Sequence, residues 1–479
     1  MSKMNRTKIY PALQLQAESE TYRVTGGFKI VDRWFQVPLD YFNPAKGSIK
    51  IFARNAIPNK KDDDGTTGGK LPYFIYLQGT YAPNEYENLC LDNPIGGPGF
   101  GCGPPSSHPV TDFLFEKGYQ VLYIDQRGTG MSTPITSFTL AKQGSVREQA
   151  DYVKLFRADN IVRDCEAIRL SLLPEGEKWS VIGQSFGGFC AVTYLSLHPE
   201  GLKQVFTTGG MPPLVNNPDE VYRRMYLKVK SRNKVYYEKY PRDIKRVRDI
   251  MKYLENNEVF MPSEGMLTPE RFLSLGLAFG GHGGIDSVHI LVQNAASDLN
   301  QFGALTYKTL SSIESHQSFD TNPIYAIGHE MIYCQGESSR WSAQRVLEDS
   351  SKPSIFSWED MKKAEDTEPV YFTGEMIYQW MFSDFAELHK MEEVAENLAE
   401  YEDWPKLYDE EVLAQNQVPV FAATYIEDMY VDYEFARETA GKINGAKEFM
   451  TNVMFHNALR SKTEGVLGEL WKLKVGEVD

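Results

Sequence analysis

Residues 179 to 189 read Trp-Ser-Val-Ile-Gly-Gln-Ser-Phe-Gly-Gly-Phe: an apolar, strand-like run passes through Gly183-Gln184-Ser185-Phe186-Gly187 directly into a helix-like one. A chain can leave a strand and enter a helix this abruptly only by a sharp turn at the serine. Glycines on both sides let the neighbouring strand and helix close around that turn, which lifts the Ser185 hydroxyl to the end of a sheet where a substrate can reach it. The flanking text agrees. Ser180 to Ile182 extends the strand, Phe186 to Leu197 is apolar all round as a buried helix is, and Pro199 ends it. The bland alternative is a strand-to-helix turn with no chemical duty.

The rest of the chain supplies a sheet for this turn. Short apolar runs at Tyr73 to Leu77, Gln120 to Asp125, Ser180 to Ile182 and Val205 to Thr208 are separated by helical stretches. Such alternation of strand and helix predicts a mostly parallel sheet covered by helices on both faces, an α/β fold. Before it, the alternating runs Arg33 to Leu39 and Ser48 to Ala53 predict an antiparallel entry, and residues 59 to 70 a solvated loop. From about residue 215 to 370 the text is rich in charged and aromatic residues at helical spacing. Strand character returns at Val418 to Tyr425 and Glu448 to Val453. The expected organisation is a core in two parts, 1–213 and 371–479, interrupted by a helical cap domain at 214–370.

Composition narrows the class further. A formal net charge of −15 over 479 residues argues against a nucleic-acid partner, for which a basic stripe is expected. Met1 to Tyr10 is polar and no apolar run approaches a membrane-spanning length, so no membrane association and a cytoplasmic location are expected. The five cysteines, Cys90, Cys102, Cys165, Cys190 and Cys334, are widely spaced without a CxxC pair. Reduced thiols fit better than a disulfide framework or a zinc site, and neither a metal nor another cofactor is expected.

A serine hydroxyl is too weakly acidic to attack a carbonyl unaided. A histidine must take its proton and a carboxylate must orient that histidine, and at a nucleophile elbow the chain order is serine, acid, histidine. His456 alone among the eight histidines follows the last expected strand; the nearest rival, His389, lies in a Glu-rich helical stretch. After the strand ending at Tyr425 three carboxylates compete, Glu427, Asp428 and Asp432. Asp428 stands where strand gives way to loop and is preferred, with Asp432 second and a solvated acidic loop as the alternative. A tetrahedral intermediate also needs backbone N–H donors: one from Phe186, the residue after the nucleophile, and one from Gly97 in the loop Gly96-Gly97-Pro98-Gly99.

Together these features resemble the prolyl aminopeptidases (proline iminopeptidases) of the α/β-hydrolase superfamily. The resemblance rests on Gly96-Gly-Pro-Gly99, Asp125-Gln-Arg-Gly-Thr-Gly-Met-Ser132, the elbow Gly183-Gln-Ser-Phe-Gly-Gly188, and the late acid and histidine. Text similar to His329-Glu330-Met-Ile-Tyr-Cys-Gln-Gly336, Trp341-Ser-Ala343 and Gly374-Glu375-Met-Ile-Tyr-Gln-Trp380 occurs in the larger members. The resemblance implies an α/β-hydrolase sheet with a helical cap, and removal of N-terminal proline from peptides through an acyl-enzyme. Such an exopeptidase needs a carboxylate at a fixed distance from Ser185 to pair with the free imino cation. Glu330 and Glu375 are the candidates, each in an aromatic setting, with Glu337 behind them and a buried structural ion pair as the alternative.

In one place the sequence departs from the pattern. In the family the early strand runs straight into the oxyanion loop, whereas here Thr80 to Ile95 intervenes between Gln78-Gly79 and Gly96. Two origins are open: intron sequence retained in the gene, or a surface excursion that pinches back at Gly96. Two further functions also stand beside the peptidase: an esterase or amidase acting on a small, prolyl-bearing metabolite, and an inactive hydrolase-fold binding protein.

Overall fold

The computed structural model of the protein describes residues 4, 6–24, 27–59, 71–78, 99–102, 109–349 and 354–477. Among them, ten strands form one sheet: β1 (Leu13–Gln14), β2 (Glu20–Arg23), β3 (Lys29–Pro38), β4 (Ser48–Ile57), β5 (Tyr73–Leu77), β6 (Gln120–Ile124), β7 (Trp179–Gln184), β8 (Leu202–Thr208), β9 (Val420–Tyr425) and β10 (Ala446–Thr451). Their order is β1-β3-β4-β6-β5-β7-β8-β9-β10, with β2 also paired to β3. From β6 to β10 every neighbouring pair is parallel, and the antiparallel entry through β3 and β4 is in the register Pro38↔Ser48 to Lys29↔Ile57.

Both faces of the sheet are covered, and the alternation of side chains along each strand divides them. Ile75, Leu77, Val181, Val205, Val420 and Ala422 face one core, to which helices Ala158–Leu172 and Phe186–Leu197 contribute Ile161, Ile168, Phe189 and Leu195. Phe74, Tyr76, Ile182, Phe206, Phe421 and Ala423 face the other, packed against Val110 and Leu114 of helix Pro109–Glu116 and Val466 and Leu470 of helix Thr463–Val475. A strand buried on both faces reads as a continuous apolar run, which is why the central strands stand out in the sequence. Seven of the helices, in chain order, are α1 (Pro109–Glu116), α2 (Ala158–Leu172), α3 (Phe186–Leu197), α4 (Asp219–Lys239), α5 (Ser342–Asp349), α6 (Tyr433–Lys442) and α7 (Thr463–Val475).

The last strand differs from expectation. It spans Ala446–Thr451 rather than Glu448 to Val453, pairing Ala446 with Val420 and Thr451 with Tyr425. Gly445, at φ +74°, turns the chain into the strand two residues earlier than the apolar text suggests, and Val453 lies beyond it with 65% of its surface exposed. As an edge strand β10 is only half-buried, so its sequence carries a weak signal.

Between β8 and β9 every regular element among the described residues is helical. Helical segments also follow residue 370, at Met381–Asp384, Ala386–His389, Glu392–Ala399 and Glu410–Ala414. No described helix is long and apolar enough to cross a membrane. Cys102, Cys165, Cys190 and Cys334 are free and buried; Cys90 and, of the loop expected at 59 to 70, residues 60–70 lie outside the described residues.

The segment Asp125-Gln126-Arg127 after β6 is a fastening point. The Asp125 carboxylate accepts the N–H groups of Cys102 (2.5 Å) and Met131 (2.8 Å), and burial pushes its pKa up to about 6. Gln126 Nε2 donates to the Gln78 carbonyl at 3.0 Å, while Gln78 Nε2 donates to the Gly101 carbonyl at 2.9 Å. Arg127 forms a bidentate pair with Asp164 on α2, at 2.6 and 2.7 Å, both side chains buried. The described residues flanking 79–98 are thus held to each other and to the end of β6.

Candidate active site

Ser185 sits between β7 and α3 with φ 53° and ψ −126°, a conformation that L-residues rarely adopt. Close packing enforces it. A Cβ on Gly187 would lie 1.9 Å from the Leu77 carbonyl oxygen, and one on Gly183 would lie 2.3 Å from that of Gly187. Ser185 N–H donates to the Thr208 carbonyl at 3.1 Å, which locks the turn to the end of β8. The Ser185 hydroxyl makes no hydrogen bond with a described residue. The Phe186 N–H, first in α3 and without an intrahelical acceptor, is likewise unpaired.

Asp428 follows β9, and its carboxylate is fully engaged. Oδ1 accepts the Tyr430 and Val431 N–H groups at 2.8 and 3.1 Å, and Oδ2 stands 2.7 Å from His456 Nδ1. Both side chains are buried. Burial opposes charging the imidazole, but the Asp428 charge and hydrogen bond, with Glu375 adding to them, outweigh it and raise the His456 pKa above the usual histidine value. The link to the serine runs through two glycines. A Cβ on Gly210 would lie within 3.0 Å of Ser185 backbone atoms, and one on Gly209 would lie 3.2 Å from Asp428 Oδ2. Gln184, adjacent to the serine, donates through Nε2 to the His456 carbonyl at 3.4 Å and accepts from Tyr76 Oη at 3.1 Å.

The rival residues lie elsewhere. Asp432 caps α6, accepting from the Glu434 and Phe435 N–H groups at 3.1 and 3.0 Å and pairing with Arg224. The His389 side chain is 65% exposed and sits 3.7 Å from Glu392. Glu337 is exposed and receives a hydrogen bond from Asn217.

Glu330 and Glu375 are both buried, yet their surroundings differ. Glu330 Oε2 and Oε1 accept the N–H groups of Ser342 and Ala343, at 3.1 and 2.9 Å, so the carboxylate caps the start of α5. The two residues before it, Arg340 and Trp341, have φ of 48° and 55°, and this turn directs both donors at Glu330. Among the described residues Glu375 has one anchor: Oε1 accepts from Tyr325 Oη at 2.7 Å. Its Oε2 has no hydrogen-bond partner among the described residues. Burial, with Asp428 adding to it, pushes the Glu375 pKa up to about 7 against the opposing effects of His456 and Tyr325. Tyr325 stacks on His329, whose pKa burial pushes down to about 4, so that imidazole is neutral at pH 7. Aromatic contacts continue from Tyr325 to Phe100 and from Tyr333 to Phe189 on α3 and Tyr222 on α4, with centroids 5.9 to 6.4 Å apart.

Relatives share nearly the whole chain. It is 42% identical over 449 residues to proline iminopeptidase aneH of Aspergillus aculeatus, covering 93% of each protein. It is 38% identical over 456 residues to a proline iminopeptidase of Aeromonas sobria, covering 95% of this chain and 99% of that one. The chain belongs to the proline iminopeptidase family. The model of the α/β hydrolase fold matches residues 96–258, which include the elbow. Among solved structures, the proline iminopeptidase of Mycobacterium smegmatis aligns over 92% of this chain and 99% of its own, at 13% identity and a TM-score of 0.38.

Within this α/β-hydrolase frame, Ser185 follows β7, the Asp428–His456 pair joins the loops after β9 and β10, Gln184 ties the elbow to the His456 carbonyl, and Glu375 lies near enough to act on both members of the pair. Gly97, and with it Thr80 to Ile95, lies outside the described residues. The sequence reading missed two things: Gln184 as a tether between elbow and histidine loop, and the capping role of Glu330. A Gln between glycine and the nucleophile carries no signal of its bonding, and a Glu twelve residues before its helix lies beyond the three-residue spacing of a capping box.

Proposed function

We propose that this protein is a serine exopeptidase that releases N-terminal proline from peptides. The observation that carries the reading is buried Glu375, whose Oε2 has no partner among the described residues, near the Asp428–His456 pair. A carboxylate so placed accepts the imino N–H groups of a terminal proline and, by its fixed distance from the serine, excludes residues further along a chain. Aromatic neighbours such as Tyr325 and Tyr333 offer an apolar wall for the pyrrolidine ring.

The same proposal assigns each step of the chemistry. Ser185 Oγ attacks the proline carbonyl carbon while its proton passes to His456 Nε2, and the imidazolium is stabilised by Asp428 through Nδ1. The developing oxyanion takes a hydrogen bond from the Phe186 N–H, and the sequence pattern assigns the second donor to Gly97. His456 returns the proton to the departing amine as the C–N bond breaks, leaving prolyl-Ser185. Water, deprotonated by His456, then attacks the ester, and proline leaves as Ser185 regains its proton. We place the imino clamp at Glu375 and give Glu330, whose oxygens are occupied by the start of α5, a supporting part. The same proposal puts the enzyme in the cytoplasm, acting on peptides rather than on nucleic acid or a membrane; four free, buried thiols are compatible with a reducing compartment.

Glu375→Gln tests the clamp. On a proline arylamide kcat/KM is expected to fall about 100-fold, the effect of losing a charge-assisted bond to a desolvated cation. An N-acetylproline arylamide, which has no cation, should lose little. The clamp works only when ionised, so wild-type kcat/KM should rise with pH through about 7, and that contribution should vanish in the variant. The sign for stability is opposite. A carboxyl whose folded-state pKa lies above its ordinary value contributes stability that is complete below the ordinary range and is lost as pH rises through about 7. Glu375→Gln should therefore raise Tm at pH 8. A variant that retains wild-type kcat/KM on the free substrate removes the clamp from Glu375.

A further inference from the structure

The loop bearing His456 is held by the helical insertion as well as by the sheet. Three consecutive residues reach the same short stretch of the insertion, the 3-10 turn Ser274–Gly280 and the residues just after it. The Phe455 ring lies under the Arg232 guanidinium, 4.5 Å from its centroid, and Arg232 Nε donates to the Phe279 carbonyl at 3.1 Å. His456 N–H donates to the Gly280 carbonyl at 3.2 Å. Asn457 Oδ1 accepts the His282 N–H at 2.9 Å and stands 2.7 Å from His282 Nδ1.

The acid loop reaches the same turn. Tyr430 Oη donates to the Leu277 carbonyl, and its ring packs edge-on against His456 with centroids 4.7 Å apart. Gly280 has to be a glycine here, since a Cβ would lie 2.2 Å from Tyr430 Cζ. Arg232 belongs to a ridge on α4. Arg224 and Lys228, at four-residue spacing on the same face, pair with Asp432 and with Glu427 and the Ile426 carbonyl. One helix of the insertion thus lies along the loops that carry both Asp428 and His456.

We propose that the turn Leu277–His282 is a cradle that sets His456 relative to Asp428 and Ser185, with Arg232 and Asn457 as its positioning residues. Neither touches substrate; each acts through the main chain or ring of a residue beside the base. Arg232 is well suited to this, because a buried guanidinium both stacks on a ring and donates in a fixed plane, which a flexible ammonium does less well. The proposal rests on the triad set out above, and its consequence is that the insertion contributes to the chemical step as well as to substrate binding.

The test uses the full chain carrying Arg232→Met or Asn457→Ala, with Arg232→Lys and Asn457→Asp as conservative variants. Two readouts are the rate at which a fluorophosphonate labels Ser185, followed against pH, and kcat with KM on a proline arylamide. A displacement of the base by a fraction of an ångström to 1 Å should slow labelling and kcat about 10- to 100-fold with KM nearly unchanged. As the imidazole loosens from Asp428, which raises its pKa, the acid limb of the labelling profile should move to lower pH. The conservative variants should recover most of the rate.

Folded variants with wild-type labelling and an unmoved acid limb overturn the proposal. So does slowing that only tracks the loss of folded protein measured by near-UV circular dichroism. Labelling does not depend on the natural substrate, so a wild type that labels but leaves proline arylamides intact refutes the peptidase reading while the cradle is still judged on the variants. A wild type that does neither refutes both.

Discussion

Replacing Ser185 by alanine is expected to lower turnover of a proline arylamide about 10⁵- to 10⁶-fold, to the level supported by binding and oxyanion donors alone. Fluorophosphonate labelling should vanish with it. The size follows from what the fold invests in this residue: a strained φ of 53°, glycines that admit no Cβ on either side, and a hydroxyl with no hydrogen-bond partner among the described residues. Alanine removes one oxygen and fits the same space, so unfolding temperature should change little while activity disappears. A residual rate within about 100-fold of wild type would assign the nucleophile elsewhere.

The second large effect is expected at the acid. In Asp428→Asn the side chain keeps its shape, and two backbone donors, Tyr430 and Val431 N–H, decide which way the amide points. They require an acceptor, so the amide oxygen takes the place of Oδ1 and the NH₂ group faces His456 Nδ1. The imidazole must then accept at Nδ1 and carry its proton on Nε2, the tautomer that cannot take a proton from Ser185. A wrong tautomer of this kind typically costs about 10⁴-fold in kcat. KM and circular dichroism should be close to wild type. A fall of less than about tenfold would mean that Asp428 does not orient His456 during turnover.

Much of this arrangement is legible in the sequence because its strongest signals are local. The central strands are buried on both faces and read as apolar runs, and the elbow packs strand, turn and helix into eleven residues. The order of serine, acid and histidine follows once a strand is known to precede each of the last two. Asp428 and Asp432 separate for a local reason as well: Asp432 stands at the N-cap of α6, where its carboxylate meets backbone donors.

What escapes the sequence is contact between distant segments. Glu330 and Glu375 look alike in text, each in an aromatic stretch. Only the fold shows that Glu330 is saturated by the start of α5 while Glu375 accepts one hydrogen bond from the described residues, at Oε1. The cradle joins residues 232, 279 to 282 and 455 to 457 partly through the main-chain carbonyls of Phe279 and Gly280, a group every residue type possesses and no motif records. The edge strand β10 is misplaced by two residues because half of it faces solvent and its alternation is weak.

The most direct measurement of the central claim is the ratio of kcat/KM for a proline arylamide with a free imino group to that for the same compound acetylated on nitrogen, using wild-type protein at pH 8. A serine exopeptidase that clamps the imino cation with Glu375 should favour the free substrate about 1,000-fold or more, because acetylation removes the charge-assisted bond and leaves a buried carboxylate facing an acyl group. Equal rates on the two compounds, or faster cleavage of the blocked one, would contradict the account.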